Sequence, residues 1–258
     1  MTSREPSLMH PAVPRGWRLV PMGAVASTND EARTLANGGA PEGTVVWAQQ
    51  QLSGRGRRGR AWDSPEGNLY CSVVLRPEGD PARVGQLPFV VSLALARAIA
   101  ILAPNLDIAV KWPNDVLIHD AKVSGLLLEG TFRPDGACDW VIVGLGANVA
   151  SFPQGTEFPA TSLAAAGARS VTVEALLEAY LFALASLLAA WHRDGFAGIR
   201  REWLILAWRR GAPLQVRLET ETLDGTFEDL DEDGHLLLRL GDGGLRKIAA
   251  GDVFFARV

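Results

Sequence analysis

A seven-residue segment, Gly54–Arg60 (GRGRRGR), constrains the possible folds of this 258-residue chain more than any other stretch. It contains four arginines and three glycines, and strand-like patterns precede it at Gly43–Gln50 and follow it at Asn68–Leu75. Arginine offers a permanent charge and a fork of donors for carboxylate or phosphate oxygens, and glycine lets the backbone approach a ligand closely. The segment therefore predicts a mobile loop between two strands that closes over an anion.

The glycine spacing of this loop matches a dinucleotide-binding fingerprint, but that motif needs a helix to begin directly after the strand. Here arginines separate the glycines, and Pro65 and Gly67 prevent a long helix. A P-loop is excluded because no Gly-Lys-Ser/Thr follows. RNA-binding Arg/Gly tracts are usually repeated and disordered, whereas this tract is single. The net charge of −4 also argues against a broad basic surface for nucleic acid.

A second unusual stretch, Lys111–Asp115 (KWPND), lies between two apolar strand patterns. A lysine next to Val110 and Trp112 is costly to bury unpaired. It is either a strand-end lysine whose head reaches solvent or a cation aimed at a ligand carboxylate or phosphate. Asp115 is interpreted as a turn residue in preference to a support for a metal–phosphate complex.

Three smaller features are consistent with a ligand cleft near these two stretches. Gly125 interrupts a strand pattern, which often marks close approach of a ligand to the backbone. Gly144–Asn148 ends the next strand in the same way, and Trp62 follows the arginine loop, where its ring could clamp the closed loop. Ordinary packing explains each feature equally well when it is taken alone.

The chain as a whole alternates strand and helix patterns. We predict strands at residues 17–20, 43–50, 68–75, 107–112, 115–118, 122–132 and 139–149, and helices at 83–102, 173–192 and 196–208, with a further helix from an N-cap at Ser27 or Thr28 to Asn37. The segments Leu87–Ala103 and Ala175–Trp191 are at the short limit for a membrane span. Arg97 and Glu178 interrupt them, so we interpret both as buried or amphipathic helices.

The sequence changes character after Gly211. Asp-Gly pairs at residues 224, 233 and 242 recur at nine-residue intervals with apolar segments between them, which predicts a small antiparallel barrel. Residues 219–233 contain eight carboxylates and no lysine or arginine, and we interpret them as a solvated surface. The two cysteines, Cys71 and Cys138, have no ligand-like spacing, and no secretory signal precedes them, so we expect reduced thiols in a cytoplasmic protein.

Together these motifs resemble the catalytic domain of the biotin protein ligases. The matching stretches are Ser27-Thr28-Asn29, Gln51–Arg60 (QLSGRGRRGR), Trp62 with Ser64–Tyr70, Lys111–Asp115, and Lys122–Glu129 (KVSGLLLE) with Gly144–Val149 (GLGANV). The pair of GRGRRGR and KWPND is the most specific signal, and the resemblance covers about residues 18–209. The tail more weakly resembles the SH3-like C-terminal domain of the family.

The resemblance implies an α+β fold with a mixed central sheet flanked by helices, as in class II synthetases, and a small SH3-like β-barrel. It divides the chain into an N-terminal extension (1–16), a biotin- and ATP-binding catalytic domain (17–209) and a C-terminal domain (211–258). Repressors of this family carry an N-terminal helix-turn-helix domain. The catalytic pattern begins here near residue 17, so we expect no DNA binding.

The resemblance also implies an activity. Biotin and ATP with Mg²⁺ would give biotinyl-5′-adenylate, and a lysine of a biotin carboxyl carrier protein would then take the biotinyl group. The implied biotin-binding residues are Ser27, Thr28, Asn29, Gln51, Arg55, Gly56, Arg57, Lys111 and Gly125, with Lys111 and Arg57 as the catalytic pair. The implied nucleotide-binding residues are Arg58, Trp62, Asn114, Lys122 and Asn148, and no residue is implied as a metal ligand.

Some questions stay open on the sequence alone. A ligase or transferase for another acyl acid, such as lipoate, is an alternative within the same kind of fold, and an Arg/Gly-loop RNA-binding module is an alternative of another class. The roles of Gln49 and Arg60, the ligands of Mg²⁺ and the oligomeric state are undetermined, and a homodimer is compatible with the sequence.

Overall fold

The computed structural model of the chain describes residues 11–255, which form two β-sheets and four α-helices. The first sheet has seven strands: β1 (Arg18–Val25), β2 (Thr44–Gln51), β3 (Leu69–Leu75), β4 (Ile108–Lys111), β5 (Asp115–Ile118), β6 (Ala121–Phe132) and β7 (Cys138–Ala147). Their spatial order is β1-β2-β3-β7-β6-β5-β4. Strands β1 and β2 are parallel and all other neighbours are antiparallel, so the expected mixed sheet is confirmed.

Helices cover both faces of this sheet. They are α1 (Thr28–Asn37), α2 (Leu87–Leu102), α3 (Val173–Asp194) and α4 (Phe196–Ile205). Successive side chains of a strand point to opposite faces, and here Val45 and Val73 join the main core with α2, α3 and α4. Their neighbours Val46 and Val74 instead contact Ala32 and other residues on the α1 side of the sheet. The α1 side therefore has a thin hydrophobic layer and leaves part of the sheet uncovered.

Two helical segments, Pro81–Leu102 and Val173–Asp194, are long and apolar enough to cross a membrane by length and composition. The most apolar window of the first is 67% buried and that of the second 39%. The two helices pack against each other and contribute Leu93 and Tyr180, among others, to the main core. Both segments thus have a place in the interior of the fold, as the sequence predicted.

The tail forms a second sheet of five antiparallel strands. These are β8 (Pro213–Arg217), β9 (Thr222–Leu230), β10 (Leu236–Leu240), β11 (Leu245–Ile248) and β12 (Asp252–Phe255), in the order β11-β10-β9-β8-β12. Within residues 11–255 the two edge strands β11 and β12 do not pair, so the sheet is not closed and the predicted barrel needs this correction. Strand β9 was not predicted, because the eight carboxylates of residues 219–233 obscured the inward-facing side chains of Phe227 and Leu230.

The two sheets meet in one continuous core. The Trp112 indole N–H donates to the Gly234 carbonyl oxygen at 3.1 Å, and the Phe89 ring lies so close to Gly234 that an added Cβ would approach it to 2.4 Å. Trp203 of α4 packs near Phe227 of β9. The two sheets share their hydrophobic contacts. The division of the chain at residues 209–211 into a catalytic and a C-terminal domain therefore stays a prediction.

Most predicted elements are present, and the three boundaries that differ by about three residues or more do so for identifiable reasons. Strand β1 continues to Val25 because it pairs with β2 over its full length. Helix α2 begins at Leu87, after a 3₁₀ segment (Pro81–Gln86) capped by Asp80. Helix α4 ends at Ile205 because the next residues leave the helix and hydrogen-bond to β4 at Val110.

The remaining expectations concern the termini and the cysteines. Residues 1–10 of the predicted N-terminal extension, and residues 256–258 of the tail, lie outside the described residues. The rest of the extension is anchored, because the Ala12 N–H donates to Glu178 Oε2 at 2.8 Å. Cys71 and Cys138 are free thiols, as predicted, and both side chains are buried.

Candidate functional site

A cavity of about 650 Å³ lies on the α1 side of the seven-stranded sheet. Its floor includes one row of residues that are register partners on adjacent strands: Gly146 of β7, Gly125 of β6, Asp115 of β5 and Lys111 of β4. The Trp62 ring packs over both glycines, 3.2 Å from a Cβ added at Gly125 and 2.4 Å from one added at Gly146, and the charged pair stands beside them in the same row. The register of four strands thus places a cation next to the Trp62 ring on the cavity floor.

Thirteen of the fourteen residues that the resemblance named line this cavity, and Arg58 is the exception. The lining residues are Ser27, Thr28, Asn29, Gln51, Arg55, Gly56, Arg57, Trp62, Lys111, Asn114, Lys122, Gly125 and Asn148. They come from distant parts of the chain, so the fold assembles one site from separate motifs. Their individual roles in binding stay predictions.

The start of helix α1 forms one wall. Ser27 is the N-cap, but its side chain makes no capping hydrogen bond and stays available to a polar ligand. Thr28 donates from its backbone N–H and its hydroxyl to Gln51 Oε1, at 2.9 and 3.1 Å. Asn29 accepts a hydrogen bond from Ser72 at 2.6 Å and donates to Glu129 at 2.7 Å. The wall is therefore a fixed network of polar side chains.

Close packing of glycine explains two positions beneath this network. A Cβ at Gly144 would lie 2.2 Å from Asn29 Oδ1, and a Cβ at Gly146 would lie 2.4 Å from Trp62 Nε1. Only glycine leaves room for these two side chains against strand β7. Trp62 Nε1 is buried and has no hydrogen-bond partner within the described residues. The Trp62 ring is thus tightly packed against strand β7, and its indole N–H has no acceptor among the described residues.

The Gly54–Arg60 segment, called the lid here, is folded over the cavity entrance. It contains a 3₁₀ turn at Arg57–Gly59 and a bridge between Arg55 and Ala61. A Cβ at Gly54 would lie 2.6 Å from Ser64 Oγ, so the glycine is needed at the base of the lid. The predicted loop is present, and it is held in place by specific contacts.

The four arginines of the lid have different partners. Arg55 pairs with Asp30 Oδ1 at 2.6 Å, which raises its pKa. Arg57 donates to Asn114 Oδ1 at 3.2 Å, and burial lowers its pKa. Arg58 and Arg60 both contact Asp252 Oδ2, at 3.2 and 2.8 Å. Arg55, Arg57 and Arg60 line the cavity, whereas Arg58 does not, and its nucleotide role stays a prediction.

The buried charges lie opposite the lid. The carboxylate of Asp115 contacts Lys111 Nζ at 3.1 Å and Lys122 Nζ at 2.6 Å. Burial alone would raise the pKa of Asp115, but the charges of Lys122 and Lys111 outweigh it and lower the pKa to about 2. Burial lowers the pKa of Lys111, and Asp115 opposes that shift. Lys111 Nζ also stands 4.6 Å over the ring of Phe158.

Asn114 and Asn148 hold the cavity wall together. Asn114 donates to the Leu126 carbonyl at 2.7 Å while accepting from Arg57, so it joins the lid to β6. Asn148 donates to the Thr161 carbonyl at 2.9 Å and fixes the segment after β7. Both amides therefore use hydrogen-bonding capacity within the protein before any ligand binds.

Several lining residues escaped the sequence analysis. Asp115 was interpreted as a turn residue, yet it begins β5 and pairs with two lysines. Phe158, Asp252 and Phe254 carry no motif, because their place at the cavity depends on loop and sheet packing. The pairing of Asp115 could have been predicted, because this carboxylate follows Lys111 by four residues and a buried lysine needs a partner of opposite charge. The other three had no local signal.

Comparison with known proteins agrees with this arrangement. Residues 24–148 match the Biotin/lipoate A/B protein ligase family, and residues 211–256 match the Biotin protein ligase C terminal domain. A biotin–[acetyl-CoA-carboxylase] ligase of Paracoccus denitrificans is 40% identical over 235 residues, covering 89% of this chain and 97% of that protein. This chain belongs to the biotin protein ligase family.

Two further relatives support the assignment. The bifunctional ligase/repressor BirA of Bacillus subtilis is 33% identical, over 92% of this chain and 74% of its own length. The structure of the biotin protein ligase from Aquifex aeolicus in complex with biotin and ATP superposes with a TM-score of 0.80 at 28% identity. That match covers 93% of this chain and 99% of the Aquifex chain, so the likeness to a biotin protein ligase includes the tail sheet.

Proposed function

We propose that this chain is an ATP-dependent biotin protein ligase that forms biotinyl-5′-adenylate and then transfers biotin to a lysine of a biotin carboxyl carrier protein. The observation that carries the proposal is the single cavity in which the lid arginines, the Lys111 row and the start of α1 meet. Family membership and the similarity to a ligase in complex with biotin and ATP support it.

The charges of the cavity suit the first half-reaction. An oxygen of the biotin carboxylate attacks the α-phosphorus of ATP, and the bond to the β-phosphate breaks with release of pyrophosphate. Two unit charges 4 Å apart repel by about 4 kcal/mol at an effective dielectric constant near 20. Arg55, Arg57, Lys111 and Lys122 face the cavity and offset this repulsion.

The second half-reaction needs no nucleophile from the enzyme. The neutral amine of the carrier lysine attacks the biotinyl carbonyl carbon, an amide bond forms, AMP leaves with the electron pair of the broken C–O bond, and the amine loses a proton to solvent. Positioning of the adenylate and exclusion of water then account for catalysis. The lid, which closes one side of the cavity, supplies the exclusion.

We further propose that biotin occupies the part of the cavity between α1 and the lid, and that the nucleotide lies toward Trp62, Lys122 and Asn148. Three of the four carboxylates that line the cavity are already paired, Asp115 with lysines and Asp252 and Glu157 with arginines, and the fourth is Asp63. A Mg²⁺ ion would therefore be held mainly by the triphosphate that it accompanies, as is usual for this ion. Mg²⁺ would supply neutralisation of the triphosphate charge.

Biotin-dependent ATP–pyrophosphate exchange tests the proposal, followed by transfer of labelled biotin to a carrier domain. We expect exchange with biotin and none with lipoate. Exchange with lipoate alone would support the other acyl acid, which the name of the matched family also includes. The match of the tail to a biotin protein ligase C-terminal domain favours biotin.

An RNA-binding function receives little support from the lid. Arg55, Arg58 and Arg60 pair with carboxylates of the same chain, which leaves few free charges for a phosphate backbone.

We also propose action in the cytoplasm without binding to DNA or membranes. Filter binding with RNA and DNA tests the first part, and sedimentation velocity shows whether the chain forms the homodimer that its sequence left open.

A further inference from the structure

The trio of Lys111, Asp115 and Lys122 creates a chemical problem for a biotin protein ligase. Both lysines line the cavity in which the adenylate would form, and an acyl-adenylate reacts with neutral amines. Burial favours the neutral form of an amine because it penalises charge. Lys111 is 6% exposed, so the site contains a potential nucleophile that could be acylated in place of the carrier lysine.

We propose that Asp115 is a positioning residue that keeps Lys111 as an ammonium ion and holds Lys122 in a salt bridge, so that both bind substrate anions and neither is acylated. One carboxylate oxygen faces each lysine, at 3.1 and 2.6 Å, so a single side chain serves both. This inference rests on the function proposed above. The reaction it prevents is attack of a neutral lysine amine on the biotinyl carbonyl, with amide formation, departure of AMP and loss of a proton to solvent.

The other charged groups around the trio do not replace Asp115. Arg57 of the lid lines the same cavity but is itself a cation, so it cannot take the place of a carboxylate. Asp252 of β12 favours the charged form of Lys111, but its carboxylate contacts the lid arginines and ranks below Asp115 and Lys122 in its effect on Lys111. The Phe158 ring beneath Lys111 is uncharged. Asp115 is thus the carboxylate among the described residues in direct contact with both amines.

The distribution of lysine over the whole chain is in keeping with this protection. The sequence has 25 lysines and arginines together, and only Lys111, Lys122 and Lys247 are lysines. Lys247 also has a carboxylate partner, Asp231, at 2.6 Å, and this contact raises its pKa. Every lysine therefore pairs with a carboxylate, and all other basic side chains except histidine are arginines, which do not deprotonate in proteins.

The test compares Asp115→Asn with the unchanged enzyme after incubation with biotin and ATP. Removal of an opposite charge at this distance lowers a lysine pKa by about one unit or more, so the neutral fraction rises about tenfold or more. We expect biotin on Lys111 or Lys122 of the variant, rising with pH between 7 and 9. A lysine-specific endoprotease reports the position, because biotin at Lys111 joins fragment 1–111 to fragment 112–122.

Two further variants separate protection from general disturbance. Asp115→Glu retains the carboxylate and should remain unlabelled at both lysines. Asp231→Asn removes the 2.6 Å partner of Lys247, neither of which lines the cavity, and should leave Lys111 and Lys122 unlabelled. A bystander protein in the same tube reports any adenylate that escapes into solution, which would label all accessible lysines without preference.

Addition of synthetic biotinyl-5′-adenylate tests a variant that has lost ATP–pyrophosphate exchange, because it bypasses the first half-reaction. Absence of labelling in Asp115→Asn under both conditions would overturn the inference while leaving the proposed ligase function intact. Ready labelling of Lys111 or Lys122 in the unchanged enzyme at pH 7 would also overturn it, and that measurement does not depend on folding of the variant. Lack of exchange in the unchanged enzyme would refute the ligase function itself.

Discussion

The contact between the lid and the tail sheet depends on one carboxylate, and Asp252→Asn tests it. The Asp252 side chain is 15% exposed and is approached by Arg58 at 3.2 Å, Arg60 at 2.8 Å and Arg57 at 4.0 Å. The variant keeps the size of the side chain but removes its charge. We therefore expect the lid to detach more often from β12 without loss of the fold.

The magnitude follows from the exposure of the partners. Arg60 is 59% exposed, so its pair contributes little, while Arg57 and Arg58 are about one-third exposed and contribute more. Exposed pairs are typically worth about 0.2–1 kcal/mol each. Three pairs on one carboxylate then hold the lid by about 1–2 kcal/mol, which corresponds to a factor of about 5–30 in the population of the detached state.

Limited trypsin digestion without ligands measures that population, because trypsin cleaves after the arginines of the lid. We expect cleavage within residues 55–60 to accelerate about 5–30-fold in Asp252→Asn, with a similar increase for the unchanged protein in 1 M NaCl. Glu228→Gln is the matched control, since it removes a carboxylate paired with Arg239 in the same sheet. Equal lid cleavage in Asp252→Asn and the control would refute the role of Asp252.

Three further predictions concern the reaction. Lys111→Ala should reduce pyrophosphate release by about 10²–10³, because one preorganised charge is lost, and a near-normal rate would remove Lys111 from its catalytic role. Arg57→Gly should release adenylate from the cavity and label lysines of bystander proteins, and mass spectrometry that finds biotin only on the carrier would contradict this. Gly146→Ala should displace Trp62, whose ring atoms lie within 3 Å of the new Cβ, and reduce ATP affinity measured by calorimetry. Unchanged ATP affinity would mean that Trp62 does not contact the nucleotide.

The sequence was most informative where one local pattern decided the structure. Strand β3 is a nearly continuous apolar run, and β2 contains a shorter one at Val45–Ala48. Helix α1 carries Asp30 and Glu31 in its first turn and glycines after its end, so both the strands and the helix were predictable. Strand β9 was not predictable in this way, because its apolar residues Leu223, Phe227 and Leu230 are interspersed with as many carboxylates and with Gly225.

The same distinction applies to the residues of the cavity: some were predictable from a local pattern and others were not. Lys111, Trp62 and the lid stood out because their residue types are unusual at those positions, and the fold places them on one cavity. The pairing of the lid with Asp252 joins positions about 195 residues apart, and it arises only after two sheets have packed together. No local pattern encodes such a contact, so the partner of Arg58 could not be read from the sequence.

The scarcity of lysine has a practical consequence for chemical conjugation. Dyes, cross-linkers and solid supports that react with amines have three side-chain targets in this molecule. The side chains of Lys111 and Lys122 are 8% and 28% exposed, whereas that of Lys247 is 54% exposed. Among the side chains, such reagents should therefore attach first at Lys247 on strand β11, and coupling there would tether the enzyme through its tail sheet and leave the cavity open.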